Sequence, residues 1–104
     1  MFEVHFCNNT KPLQFSLSLD KTIEEILTDI CKELKITPLY RHLFGLRNKK
    51  SNLWLTLNKK LNSLKDTSSC QLRIRFKPYC LELLKLRDIE AFNYYFYQVS
   101  IDQL

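Results

Sequence analysis

The sequence predicts an α+β fold in which a mixed sheet carries one helix across a single face. Apolar and polar residues alternate over residues 2–6 and again over 13–19, the period of two that half-buried strands show. A single amphipathic helical pattern follows over residues 23–34. Further segments with alternating apolar and polar residues follow the helix. A sheet with one helix laid on it buries all of these apolar sides together.

The first two predicted strands form a hairpin. Phe2, Val4 and Phe6 alternate with polar residues, and a second alternating run begins at Leu13. The residues between the two runs read Asn-Asn-Thr-Lys-Pro, and these residue types favour a turn. Two short alternating runs around a polar turn are typical of an antiparallel pair.

The helix is predicted to begin at Thr22. A threonine followed three residues later by glutamate, here Glu25, is the signature of a capping box. Apolar residues then recur at helical spacing: Ile23, Ile26, Leu27, Ile30, Cys31 and Leu34. Pro38 disfavours helical geometry at Thr37, so we expect Pro38 to close the helix.

Three further strands are predicted after the helix. The third covers residues 43–47 and the fourth residues 53–57, with a polar turn between them. Residues 58–69 are polar and irregular. In the fifth strand Leu72, Ile74 and Phe76 point inward and alternate with basic residues.

The pattern of apolar and polar residues changes after Pro78. Residues 78–87 are interpreted as an apolar linker, and Asp88 is predicted to cap a second helix that runs towards residue 104. Its apolar face is predicted from the spacing of Phe92, Tyr95, Phe96 and Val99. That face either folds back on the sheet or meets a later part of a longer protein. We favour the second, since an aromatic face left in water needs a partner.

The net charge of +5 and the pI of about 9.1 permit an acidic partner. Candidate residues for an acidic-partner or membrane surface are Arg73, Arg75, Lys77, Lys49, Lys50, Lys59 and Lys60. An ordinary solvated surface is the simpler explanation of the same residues. Nucleic acid is not expected, because no outward aromatic residues alternate with the basic ones to stack bases.

The sequence offers no signature of catalysis. One glycine cannot build a phosphate-binding loop, and neither His5 nor His42 belongs to a recognisable triad. The four cysteines are widely spaced, so we expect reduced thiols in a cytosolic protein, with no metal and no cofactor. No secretory signal and no apolar run of about 20 residues is present.

Gly45 and Trp54 are single occurrences of their residue types and are interpreted as parts of the fold. We expect Gly45 to let a neighbouring group approach closely, and Trp54 to pack at the edge of the sheet. Tyr94, Tyr95 and Tyr97 are tyrosines that could be phosphorylated, but packing explains their helical spacing better.

The pattern over residues 1–77 resembles the ubiquitin-like β-grasp fold. With the aromatic helix added, nearly the whole chain resembles the start of a FERM domain: the first lobe, a linker at 78–87, and the first helix of the second lobe at 88–104. The landmarks are Phe44-Gly45-Leu46, Trp54, Asn58, Arg73-Ile74-Arg75-Phe76, Tyr95-Phe96-Tyr97-Gln98 and Asp102.

Within FERM proteins the chain is most similar to the Janus kinases. The similarity rests on Ile30-Cys31, on Ile36-Thr37-Pro38-Leu39-Tyr40, on Leu43-Phe44, on Tyr79-Cys80 after the Arg-Ile-Arg-Phe run, and on Asp88. Lys35, where glycine is usual, and Gly45, where alanine is common, depart from that family. The run from Trp54 to Lys60 is more similar to ezrin-type membrane–cytoskeleton linkers.

This resemblance implies a non-catalytic segment of a cytoplasmic tyrosine kinase, peripheral at the membrane. Its implied partners are the other FERM lobes and downstream domains, the cytoplasmic tail of a cytokine receptor and anionic membrane lipid. ATP and magnesium are expected only in a downstream kinase domain. Two alternatives stay open: an ezrin-like adaptor without a kinase, and a standalone ubiquitin-like interaction module.

Overall fold

The predicted α+β architecture is confirmed. The computed structural model describes residues 2–8, 11–16, 20–64 and 69–103. Its elements are β1 (Phe2–His5), β2 (Leu13–Phe15), α1 (Ile23–Glu33), β3 (Phe44–Asn48), β4 (Ser69–Ile74), α2 (Leu81–Arg87) and α3 (Ile89–Asp102), with 3₁₀ turns at Pro38–Leu43 and Leu61–Ser63. The sheet order is β2-β1-β4-β3, with β1 and β4 parallel and the other pairs antiparallel.

The core lies between α1 and one face of the sheet. Ile23, Ile26 and Ile30 of α1 are fully buried, as the helical spacing predicts. The inward side chains of β1, β3 and β4 complete the cluster, among them Phe2, Val4, Leu46 and Leu72. The β1–β2 hairpin also forms as predicted, with Val4 opposite Leu13. Leu17 and Leu19, which were assigned to the second strand, lie outside the described residues.

The capping box at the start of α1 is confirmed, but the end of the helix has a different cause from the one predicted. Thr22 Oγ1 accepts from the Glu25 N–H at 3.2 Å, and the Glu25 carboxylate accepts from the Thr22 N–H at 3.2 Å. At the other end Lys35 adopts a φ of 63°, and the Ile36 N–H donates to the Cys31 carbonyl at 2.9 Å. This left-handed turn ends α1 at Glu33 and buries Ile36, so Pro38 serves only to start the 3₁₀ turn.

The prediction of a regular fourth strand is wrong. Residues 53–57 make one bridge to β3, between Trp54 and Arg47, flanked by the Asn48 N–H to Leu53 and the Leu55 N–H to Leu46 bonds, both 2.8 Å. The backbone then turns towards α1. The Leu57 and Lys59 carbonyls accept from N–H groups in the first turn of α1, at 3.0 and 2.9 Å. These N–H groups in the first turn of α1 would otherwise be unpaired, and bonding to them directs the segment away from the sheet.

The last strand ends earlier than predicted, and its final side chain points the other way. The N–H groups of Arg75 and Phe76 both donate to the Leu43 carbonyl, at 2.7 and 3.2 Å. Two residues therefore oppose one, as at a β-bulge, and the alternation of faces is lost. Phe76 was expected to point inward and is 55% exposed.

The segment predicted as a linker contains α2, which buries Leu84 and packs against α3. The cap at Asp88 is confirmed: its carboxylate accepts from the Ala91 N–H at 3.0 Å. Ala91, Tyr94 and Gln98 are the buried residues of α3. The apolar face of Phe92, Tyr95, Phe96 and Val99 was expected to meet a later part of a longer protein, and that contact stays a prediction. Phe92, Tyr95 and Val99 are only half-buried, and Phe96 is exposed. The division at residues 77 and 88 stays a prediction.

Candidate functional surfaces

The inner side of α3 completes the free backbone edge of β4. β1 ends at His5, opposite Gln71, whereas β4 continues to Ile74. The Gln98 side-chain amide accepts from the Ile74 N–H at 2.7 Å and donates to the Ile74 carbonyl at 3.1 Å. A glutamine side chain thus takes the place of the peptide group that a longer β1 would supply. Since buried backbone groups must be paired, this contact fixes α3 against the sheet.

Tyr94 makes the second contact along the same edge. Its hydroxyl donates to the Leu72 carbonyl and accepts from the Cys7 N–H at 3.0 Å. Its ring packs edge-on against Phe44, with the ring centroids 5.6 Å apart. Burial raises the pKa of the Tyr94 hydroxyl above its ordinary value, so the group stays protonated and able to donate. The aromatic residue that anchors α3 is therefore one that the apolar spacing did not select.

Arg73 belongs to the fold rather than to an exposed basic surface, which corrects the prediction. It is 6% exposed, and its guanidinium donates to the Gln71 side chain at 3.2 Å. It also forms an ion pair with Asp102 in the last turn of α3. Arg73 therefore holds the carboxyl end of α3 and is not available to an acidic partner.

Asp88 joins α1 to the pair of later helices. It is 4% exposed, and one of its carboxylate oxygens caps α3 through the Ala91 N–H. The other oxygen accepts from the Thr37 N–H at 2.8 Å and from the Thr37 hydroxyl at 2.9 Å. The segment after α1 is thereby tied to the α2–α3 corner, across 51 residues of sequence.

Trp54 lies against Gly45 and close to two guanidinium groups. A Cβ on Gly45 would lie 3.1 Å from two ring atoms of Trp54, which confirms the predicted close approach. The guanidinium carbons of Arg75 and Arg47 lie 5.2 and 6.0 Å from the Trp54 ring centroid, within cation–π range. No described carboxylate pairs with either guanidinium. Arg47 was missed in the sequence, because only the pairing of β3 with residue 54 brings it here.

The predicted lysines lie in separate places. Because Phe44 pairs with Ile74 and Asn48 with Cys70, Lys77 lies at the opposite end of β3 from Lys49 and Lys50. Lys59 and Lys60 lie near the start of α1, and Lys60 pairs with Asp20 at 2.6 Å. All five are exposed, but they do not form a single basic surface.

The outer face of α3 is exposed and carries four apolar residues. These are Ile89, Phe96, Tyr97 and Ile101, which lie on one half of the helix together with the exposed polar residues Glu90, Asn93 and Ser100. Phe96 is the most exposed of the four apolar residues at 62%. Within the described chain nothing covers this face, which is opposite the side that holds Tyr94 and Gln98.

The described residues contain no group of acidic, histidine or cysteine side chains that could hold a metal ion. His5 contacts Glu3 at 2.6 Å, and His42 lies exposed in the 3₁₀ turn. Cys7, Cys31 and Cys70 are buried, whereas Cys80 is exposed. Burial raises the pKa of Cys7, and it raises the pKa of Cys31 and Cys70 to about 12.

We expect a thiol reagent at neutral pH to label Cys80 rapidly and the three buried cysteines only upon unfolding, because thiolate is the reactive form.

The burial of the cysteines also predicts that the folded chain is destabilised at alkaline pH. Folded Cys31 and Cys70 keep protons that the unfolded chain releases above pH 9.0, so stability falls as pH rises from 9 towards 12. The slope is at most about 1.4 kcal/mol per thiol per pH unit.

Mass spectrometry of labelled peptides and chemical denaturation at several pH values measure both effects. A Cys80→Ser variant is the control, since it removes the fast label and leaves the alkaline transition unchanged. Rapid labelling of Cys31 or Cys70 in the folded chain would contradict the prediction.

None of the helices that the structure describes has the length and apolar character needed to cross a bilayer. The family model of the FERM F1 ubiquitin-like domain matches residues 2–96. No curated protein sequence matches the chain.

Solved structures of similar fold include two FERM proteins. The Drosophila Merlin FERM and C-terminal domain complex has a TM-score of 0.71 and 18% identity, over 94% of this chain and 34% of that one. The Dictyostelium discoideum myosin VII MyTH4-FERM MF2 domain, in a mutant form, has a TM-score of 0.65 and 16% identity, over 94% of this chain and 24% of that one. The likeness confirms the ubiquitin-like fold, and the chain spans about a third or less of each.

Proposed function

Because this chain belongs to the FERM F1 ubiquitin-like domain family, we propose that it is the leading, non-catalytic lobe of a larger FERM unit that docks its parent protein at a membrane. The lobe supplies α3 as the element on which later helices pack. Its own contribution is position and shape rather than chemistry.

The outer face of α3 carries this proposal. Tyr94 and Gln98 bind α3 to the sheet, which leaves Ile89, Phe96, Tyr97 and Ile101 pointing away from the lobe. Four exposed large apolar side chains on one side of a helix mark a contact with another protein segment. The solved FERM proteins of similar fold are about three to four times as long, which agrees with further lobes that cover this face.

The test is association with the segment that comes after residue 104 in the parent reading frame. We expect a Phe96→Asp, Ile101→Asp variant of this chain to lose at least about tenfold in affinity for that segment, because two charges would be buried in the contact. Calorimetric titration measures the affinity. Lys32→Asp, at an exposed position on α1 and away from the outer face of α3, is the matched control. Undiminished association of the double variant would contradict the proposal.

We further propose a Janus-type tyrosine kinase as the parent, with the FERM unit holding the kinase on the cytoplasmic tail of a cytokine receptor. The support is the run Ile36-Thr37-Pro38-Leu39-Tyr40 together with Asp88. Thr37 and Asp88 also contact each other, because the Thr37 N–H and hydroxyl both donate to the Asp88 carboxylate. A pseudokinase–kinase pair downstream in the reading frame would support this parent, and its absence would overturn it.

An ezrin-like membrane–cytoskeleton adaptor is the second candidate, favoured by the run from Trp54 to Lys60. It predicts a FERM unit without kinase domains. In both cases the adjacent, exposed Lys49 and Lys50 are the charges that we propose for contact with anionic lipid. A standalone ubiquitin-like module is the third candidate, and it predicts no partner for the outer face of α3.

A further inference from the structure

We propose that the sheet edge at residues 53–57 binds an extended acidic peptide, which adds as a strand and whose carboxylates are held by Arg47 and Arg75. This surface is separate from the outer face of α3, so the inference does not rest on the proposed function. We call it the Trp54 edge, and it consists of residues 53–57 with Arg47 and Arg75.

The backbone of the Trp54 edge has an open side. The Leu53 carbonyl and the Leu55 N–H face β3 and are bonded to it. Because alternate residues of an extended chain point their backbone groups in opposite directions, those of Trp54 face outward at the bridge to Arg47. The Thr56 carbonyl accepts from the Lys59 N–H at 3.3 Å. The Trp54 N–H and carbonyl and the Thr56 N–H have no backbone partner in the described chain. An added strand would pair with the two Trp54 groups.

The charge beside this open side selects an acidic strand. Arg75 is exposed, Arg47 is partly exposed, and neither is paired with a described carboxylate. A guanidinium binds a carboxylate through two parallel hydrogen bonds. Stacking on Trp54 already restricts the two guanidinium groups, so less side-chain freedom is lost when a ligand binds. The net charge of +5 also attracts an acidic segment over a distance.

The shape of the Trp54 edge fits alternating side chains. A shallow groove of about 410 Å³ runs along Trp54, Leu55, Thr56, Leu57, Asn58 and Arg75. Leu53 and Leu57 are exposed at its two ends and offer apolar contacts. An extended peptide places alternate residues on opposite sides, so a peptide that alternates acidic and apolar residues meets the arginines and the leucines together.

Stacking of nucleic-acid bases is disfavoured at the Trp54 edge. Gly45 lies against the Trp54 ring, and two guanidinium groups lie within cation–π range of it, so these groups compete with a base for the ring. A partner at this edge must therefore use the backbone groups and the charges rather than the ring.

The test uses the 104-residue chain and an end-blocked peptide of about eight residues, the length of an ordinary strand, that alternates Glu and Val. Trp54 is the only tryptophan, so its fluorescence reports occupancy of the edge directly. We expect saturable binding with a change in Trp54 fluorescence and slower hydrogen exchange at the Trp54 amide. A Lys–Val peptide and a Glu–Val peptide with a central proline, which lacks an N–H, are the ligand controls.

Arg75→Gln and Arg47→Gln are each expected to weaken binding of the Glu–Val peptide about tenfold, since each removes a charge-assisted bidentate contact. Lys32→Gln, an exposed charge on α1, is the matched control and should leave the affinity unchanged. Circular dichroism establishes that each variant is folded. An Arg75→Lys variant retains the charge but not the planar fork, and we expect it to bind with intermediate affinity.

Equal affinity of the arginine variants and the parent chain would overturn the proposal. Equal binding of the proline-containing peptide would also overturn it, because attraction would then occur without strand addition. Anionic vesicles that contain phosphatidylserine are tested as a third ligand with the same variants. If they require Arg47 and Arg75 while the peptide does not bind, the edge is a lipid surface and the peptide proposal is wrong.

Discussion

Replacing Tyr94 with alanine is expected to destabilise the chain by about 3–5 kcal/mol, the range for removing a buried aromatic side chain. Tyr94 is 2% exposed and packs against Phe44. Its hydroxyl pairs with two backbone groups, the Leu72 carbonyl and the Cys7 N–H. The substitution leaves a cavity and two unpaired buried groups at once. Because α3 meets the sheet through this residue, we expect α3 to detach first.

Urea denaturation gives the change in free energy of unfolding, and hydrogen exchange shows which helix opens. Tyr97→Ala is the matched control, since it truncates an exposed tyrosine on the same helix and should cost less than about 0.5 kcal/mol. Tyr94→Phe separates the hydroxyl from the ring and should cost about 1–3 kcal/mol. Equal effects of Tyr94→Ala and Tyr97→Ala would show that α3 is not anchored as described.

The second large effect is expected at Asp88, where alanine should cost about 2–4 kcal/mol through loss of the helix cap and of the bonds to Thr37. The Asp88→Asn variant separates the contribution of the helix cap from that of the bonds to Thr37. Asparagine also caps helices well, but its amide nitrogen cannot accept from the Thr37 N–H or hydroxyl. We therefore expect the asparagine variant to be less stable than the parent chain and more stable than the alanine variant.

A double-mutant cycle with Thr37→Ala measures the coupling between the two residues. We expect a coupling free energy of about 0.5–3 kcal/mol, as for groups in one hydrogen-bond network. Asp20→Ala is the control, because its pair with Lys60 is exposed and worth at most about 1 kcal/mol. Additive effects of Asp88→Ala and Thr37→Ala would contradict the described tie between α1 and the later helices.

Tyr94 and Asp88 together fix α3 to the sheet and to the segment after α1. The inner side of α3 is occupied by Tyr94 and Gln98, while its outer side is open. The contacts made here orient α3, and its exposed face is the surface that we propose for a second lobe. Loss of either anchor should weaken association through the outer face without changing any residue on it.

The sequence by itself determined the elements whose signals are local. The alternation of Phe2, Val4 and Phe6, the capping box of Thr22 and Glu25, and the cap at Asp88 each depend on residues within a few positions. Such patterns are read correctly because strand periodicity and helix capping act over short distances. The spacing of apolar residues likewise selected the buried face of α1.

Only the tertiary structure decided the face of α3, the burial of Arg73 and the surroundings of Trp54. Gln98 is buried, although it is polar, because β1 stops before β4 does and leaves the Ile74 peptide groups to be paired. Arg73 is buried because Asp102 approaches it from α3. In each case the deciding partner is distant in sequence, often a backbone group. The need to pair buried polar groups outweighs local hydrophobic patterning, and no local pattern shows where those groups will be.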